Sequence, residues 1–192
     1  DIGVTEMMQK LQNMYPERRD ELYDMLGINP AWRMHALSDG QRRRVQLMLG
    51  LVRPFKVLLM DEVTVSLDVV VRQDLLLWLK KECEERGCCV IYATHIFDGL
   101  DDWPTHLHYL TNGGVTGWQG PIGELGLYQE LRAAGEPSPL LKISVKWLRD
   151  ELAARRARGE HTTEGEAGEA ANTIMRKDAK PFVSGGGFAP GR

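Results

Sequence analysis

Three polar clusters, each at the edge of an apolar run, carry the chemistry open to this sequence. Val57-Leu58-Leu59-Met60 leads into two adjacent carboxylates, Asp61 and Glu62. A second apolar run, Cys88 to Ala93, leads into Thr94-His95. Leu37-Ser38-Asp39-Gly40-Gln41 is a short polar loop at the head of a helical pattern. Phosphoryl transfer to water needs a held metal, an oriented water and fixed donors around the γ-phosphate. Asp61, at a strand end, is placed to hold Mg2+ through a water, since magnesium takes few protein carboxylates beside phosphate oxygens. Glu62 projects differently and can orient the attacking water or take its proton. His95 would face the same crevice, because ligands of open α/β sheets bind beyond the carboxyl ends of the strands. There it can donate to the γ-phosphate and sense its loss. The loop before the helix offers free N–H groups and partial positive charge to an anion. Ser38 adds a hydroxyl, and Gly40 permits close backbone approach. Plainer readings exist for each: a solvated Asp-Glu pair, a satisfied histidine, a simple N-cap. The order of the three, with the carboxylates and the histidine one βαβ unit apart, favours the chemical reading.

The elements that must hold these groups are legible in outline. Residues 5–14 read as a weak helix. Pro16 sits in the first turn of a clearer helix, Glu17 to Leu26, closed by Gly27, with Leu22 and Leu26 on one face. Ser38 or Asp39 can cap the next helix, from about Gly40 to Val52, with Val45, Leu49 and Val52 along one side. Val57 to Met60 reads as a short strand buried in a parallel sheet. Val69 to Arg86 is the longest helix, ended by Gly87, and Cys88 to Ala93 a second buried strand. Strand, helix and strand in this order make a right-handed parallel unit. Phe97 to Trp103 reads as a short helix. His106 to Leu110 and Val115 to Gln119 flank Thr111-Asn112-Gly113-Gly114, a hairpin turn. Leu140 to Arg158 reads as a helix with a basic end. Gly159 to Arg192 has few large apolar residues and is expected to be disordered.

Bulk properties are those of a soluble globular domain. Of 192 residues, 43% are hydrophobic and 27% charged, and the net charge is -3. That balance gives no electrostatic argument for nucleic acid or for an anionic membrane. No apolar run approaches a membrane span. Three cysteines (Cys83, Cys88 and Cys89) read as reduced thiols of a cytosolic protein, packing rather than binding metal. Arg42, Arg43 and Arg44 read as a solvated helix face or as charge-pairing within a dimer, and Trp103, Trp118 and Trp147 as packing residues. A first residue of Asp rather than Met suggests a piece of a longer chain.

Together these motifs resemble the ATP-binding-cassette (ABC) ATPases over roughly residues 5–125. Leu37-Ser38-Asp39-Gly40-Gln41 is similar to the family's LSGGQ signature. Val57 to Glu62 is similar to its Walker B strand with the catalytic glutamate, Ser66-Leu67-Asp68 to its D-loop, and His95 to its switch histidine. A finer resemblance is to the transporter-free Ccr–Not-associated ABC proteins of fungi and the plant subfamily I proteins. Trp32-Arg33-Met34-His35, the run Ser38 to Gln46, Pro54 to Leu59 and Ala93 to Leu100 carry it. The fold that this implies is α/β, a partial P-loop NTPase domain. It would have a parallel βαβ core, a helical signature subdomain, a C-terminal hairpin and a tail. The divisions would be residues 1–52, 53–125, 126–158 and 159–192.

The resemblance also implies a site shared between two cassettes, as a homodimer or a heterodimer with another ABC domain. Ser38, Gly40 and Gln41 would touch ATP held mainly by the partner. Asp61 would hold Mg2+, Glu62 and His95 would be catalytic on their own subunit's ATP, and Asp68 would connect the two sites. Asp39 replaces a glycine of the common signature; it either approaches a phosphate or points away and caps the helix. Ser66 stands where the transporter-free group often has Asp. No G-x-x-x-x-G-K-[ST] phosphate loop occurs in the sequence. That loop, the adenine-stacking aromatic and the Q-loop would lie upstream, so this chain alone is expected to be inactive. Missing charge-assisted hydrogen bonds of this kind could cost on the order of 5–10 kcal/mol in ATP binding. The intact protein is expected to hydrolyse MgATP in the cytoplasm, and also in the nucleus, in a regulatory role with Ccr–Not proteins as partners. It is not expected to insert in a membrane or to bind nucleic acid. A non-hydrolysing interaction module and a transporter's nucleotide-binding subunit are the alternatives.

Overall fold

The computed structural model describes residues 1–111 and 114–159. Expectations for residues 160–192 and for the turn residues Asn112 and Gly113 lie outside them. Helix α1 (Gln9–Met14) is shorter than the sequence pattern suggests, because Met8 takes a left-handed φ of 50° and stops helix on its N-terminal side. Helix α2 (Pro16–Met25) starts on proline, whose missing N–H is no loss there, and Gly27 follows it at φ 58°. Leu22 and Leu26 are fully buried. Helix α3 (Asp39–Leu51) buries Val45, Met48 and Leu51, with Leu49 only half-buried.

Strand β1 (Val57–Asp61) pairs in parallel with β2 (Cys89–Ala93), in register from Val57 with Cys89 to Asp61 with Ala93. Helix α4 (Val69–Arg86) connects them. Its N-cap is Asp68, and Gly87 ends it at φ 61°. Leu22, Leu26, Val45, Met48, Met60, Leu75 and Leu79 share one core. Inside that core Arg18 pairs with Glu82 at 2.5 Å and donates to the Leu51 carbonyl. Its guanidinium also lies over the Trp78 ring.

Two expectations fail here. The strands are parallel but are not buried on both faces. Val57, Leu59 and Ile91 are exposed, Leu59 at 73%. An apolar run records that a strand is suited to burial, not that both of its faces find cover within these residues. Phe97 to Trp103 is not a helix but a run of turns, with Leu100 N–H donating to Phe97 and Trp103 N–H to Leu100. Gly99 sits at φ 74° and breaks helical continuity.

Strands β3 (His106–Leu110) and β4 (Thr116–Pro121) form an antiparallel hairpin with a bulge at Tyr109/Leu110. Helix α5 (Gly126–Ala133), which the sequence pattern does not resolve, and helix α6 (Pro139–Ala157) follow. Leu125, Tyr128, Leu140 and Ile143 join Leu76 and Leu100 in a second core. The tryptophans pack as expected. Trp103 Nε1 donates to the Leu76 carbonyl at 2.7 Å, and Trp147 stacks on Tyr109 and Trp118.

At the turn from α4 into β2, Cys83 and Cys88 are half-buried with sulfurs 3.7 Å apart, while Cys89 is exposed. Burial first, then the hydrogen bond with Cys88, pushes the Cys83 thiol up to about 11. The thiolate is the species that alkylates. Iodoacetamide near neutral pH is therefore expected to label Cys89 first and Cys83 last, as read by peptide mass spectrometry. Equal rates at the two sites would contradict this packing.

Candidate active site

Parallel pairing sets the ends of β1 and β2 side by side. Asp61 lies opposite Ala93, and Glu62 N–H donates to the Ala93 carbonyl at 3.0 Å. Glu62 has φ 47°, one of two non-glycine residues in the left-handed region among those described. Such a backbone costs on the order of 1–3 kcal/mol and concentrates at functional sites. It turns the Glu62 carboxylate toward His95. Glu62 Oε1 lies 2.7 Å from His95 Nδ1. Glu62 Oε2 is buried with no hydrogen-bond partner among the described residues. An orphaned carboxylate oxygen beside a histidine can accept one more donor, such as a water. Asp61 adds an exposed carboxylate on the neighbouring residue. No three metal-ligating side chains gather among the described residues, so a hard divalent cation here would take the one carboxylate of Asp61, with phosphate and water supplying its other ligands.

The loop before α3 forms a second cluster. Ser38 is the N-cap: its Oγ accepts from Gln41 N–H, while Gln41 Oε1 accepts from Ser38 N–H at 2.9 Å, a capping box. Asp39 is therefore not the cap. It lies in the first turn with its side chain 95% exposed and pairs with Arg42 at 3.1 Å. A Cβ on Gly40 would come 3.2 Å from the Ser66 carbonyl, so glycine lets the helix start lie against the Ser66-Leu67-Asp68 loop. Asp68 Oδ1 accepts from Val70 and Val71 N–H, and Oδ2 pairs with Arg44. The structure thus pairs Glu62 with His95 next to the exposed Asp61, and separately sets Gly40 against the loop that ends in Asp68, with Ser38 and Gln41 bound to each other.

Val71 N–H, followed by the Arg44 charge, holds the Asp68 carboxyl below its ordinary value of 3.8. A carboxylate held down in the fold contributes stability that is complete above its unfolded value and is lost as pH falls through the folded one. Asp68→Ala is expected to cost about 1 kcal/mol near neutral pH, as lost caps do. The deficit should shrink below about pH 4. Urea unfolding of both proteins near pH 7 and near pH 3 checks this.

Sequence reasoning missed the links between the clusters. The Arg42–Arg44 run is not a free solvated face. Arg42 donates to the Leu37 carbonyl, Arg43 Nε to the Val63 carbonyl at 3.0 Å, and Arg44 to the Leu26 carbonyl. Arg43 thereby ties the helix to the residue after Glu62. Buried Thr64 shares a 2.6 Å hydrogen bond with the Tyr92 hydroxyl, fixing the same loop to β2. The arginine run was visible as charge, but nothing in the sequence indicated Thr64.

No protein-family model matches the chain. Over 158 residues it is 49% identical to ABC transporter I family member 20 of Arabidopsis thaliana, covering 82% of this chain and 46% of that protein. Over 116 residues it is 52% identical to CCR4-associated factor 16 of Saccharomyces cerevisiae, covering 60% and 40%. The chain spans about half the length of the curated relatives it matches. A solved ATP-binding subunit of an ABC transporter shares its fold. The TM-score is 0.62 at 15% identity, over 76% of this chain and 62% of that one.

Proposed function

The chain belongs to the ATP-binding-cassette ATPase family, and from that premise we propose that it supplies the signature, Walker B and switch-histidine part of an ATP-hydrolysing site. The observation that carries this is the pairing of Glu62 with His95, next to Asp61, at the carboxyl ends of two parallel strands, with Glu62 held in a left-handed conformation. Asp61 would hold Mg2+, which when bound to ATP neutralises charge on the β- and γ-phosphates. Glu62 accepts the proton of the attacking water. His95 donates toward the γ-phosphate from the other side of the Glu62 carboxylate. Ser38, Gly40 and Gln41 present the α3 N-terminus to ATP held by a second ABC domain, in a homodimer or a heterodimer. Asp68, locked to α4 and Arg44, carries the state of one site toward the other.

The open sheet face of Val57, Leu59 and Ile91 fits this reading. A cassette that extends beyond these residues would lay its remaining α/β layer there. A regulatory rather than transport role, with Ccr–Not proteins as partners, is supported by the likeness to the CCR4-associated factor. No helix among the described residues is long and apolar enough to cross a membrane. The deciding experiment is ATP turnover by the full-length protein with and without Mg2+, and with Asp61→Asn. Turnover that needs Mg2+ and falls with Asp61→Asn is expected. Metal-independent turnover, or none, would sink the proposal.

A further inference from the structure

Helix α6 docks on the molecule through one face. Leu140 and Ile143 are buried, Trp147 stacks on Tyr109 at 4.6 Å, and Glu151 accepts from the Tyr109 hydroxyl at 2.9 Å. A second apolar row runs along the same helix. Leu141, Leu148 and Leu152 are exposed, Leu148 at 52%, and Val145 is half-buried. Their alternating four- and three-residue spacing is that of a helix-pairing seam. At 3.6 residues per turn, the row lies roughly a third of a turn from the docked face and runs about 16 Å. Single exposed leucines are ordinary on a surface, but a contiguous apolar row marks an interaction site.

The edges of the row differ in charge. The inner edge, toward the body of the molecule, is mixed and carries Ser144, Glu151 and the half-buried Arg155. The outer edge is cationic throughout, with Lys142 and Arg149 each one residue beyond a leucine of the row and Arg156 one turn after Leu152. Lys142 pairs with Glu136 at 3.1 Å yet keeps 61% of its side chain exposed. We propose that this row is a docking surface for an amphipathic helix of a partner protein, with carboxylates flanking its apolar seam. Charge complementarity selects that occupant over two others. A second copy in antiparallel pairing would set the cationic edge against itself, and a parallel copy would need Glu151, which is bound to Tyr109. In the chain's own C-terminal sequence the large apolar residues are Ile174, Met175, Phe182, Val183 and Phe188, no two of them three or four residues apart, so it has no matching seam.

The test uses the full chain and two fluorescent three-heptad peptides with leucine at the seam positions, one flanked by glutamate and one by lysine. The glutamate peptide should bind, and its affinity should fall at least about tenfold between low and high salt, where screening removes the flank attraction. The lysine peptide should bind at least about tenfold more weakly than its glutamate counterpart. Leu148→Glu, a change at an exposed position that leaves circular dichroism unchanged, should abolish binding. Reversal of Lys142, Arg149 and Arg156 to glutamate should switch the preference to the lysine peptide. Equal binding of both peptides, or of neither, overturns the proposal. So does a dimer in sedimentation that Leu148→Glu dissociates, or peptide binding that appears only after residues 160–192 are removed.

Discussion

Glu62→Gln in the full-length protein is expected to lower ATP turnover about 1000-fold, inside the range that a lost general base produces. Glutamine has nearly the same shape. It keeps the backbone bond to the Ala93 carbonyl and an oxygen to face His95 Nδ1. What it loses is the ability to accept the proton of a water, for which Glu62 Oε2 stands free of other partners among the described residues. Binding and chemistry should therefore separate. ATP should stay bound and the two cassettes should stay closed on it, because no group that would touch the nucleotide has changed. Filter retention of labelled ATP and a stable dimer in sedimentation, together with near-zero phosphate release, is the expected pattern. Normal phosphate release would remove Glu62 from the mechanism. Loss of ATP retention along with turnover would make it a structural residue.

The sequence made the site legible in order but not in posture. Asp61 and Glu62 could be placed at a strand end because four apolar residues precede them, and His95 because its strand pairs in parallel with theirs. The left-handed φ of Glu62 could not be read, since glutamate has no propensity for it and only the surrounding chain imposes it. The capping box was half visible: Ser38 and Gln41 have the spacing, but Asp39 competed for the cap on composition alone. Helix α4 shows the same gap between residue type and burial that the strands show: Val69, Val70 and Leu77 are exposed while Arg72 and Glu82 are buried. Phe97, Leu100 and Trp103 are spaced like one helix face, yet Gly99 lets the chain turn instead, and the same side chains reach the core from turns. Periodicity records which residues seek cover, and it is indifferent to whether a helix or a tight loop delivers them.

His95→Ala in the full-length protein is expected to slow hydrolysis about 100-fold, the loss typical of a single donor to developing negative charge. The ring sits 2.7 Å from Glu62 and is itself well exposed, so its removal opens no core cavity. Stability should be nearly unchanged, which separates this variant from a structural lesion. Because His95 touches Glu62, the two do not act independently, and effects of residues that work as a unit are not additive. Glu62→Gln combined with His95→Ala should therefore be hardly slower than Glu62→Gln alone. If the penalties instead multiplied, the two side chains would be acting on separate steps, and the 2.7 Å pair would be a resting contact rather than part of the reacting geometry. Single-turnover phosphate release from the four proteins of this cycle measures the coupling directly. Full activity in His95→Ala would return His95 to the structural residues and leave Glu62 to work alone.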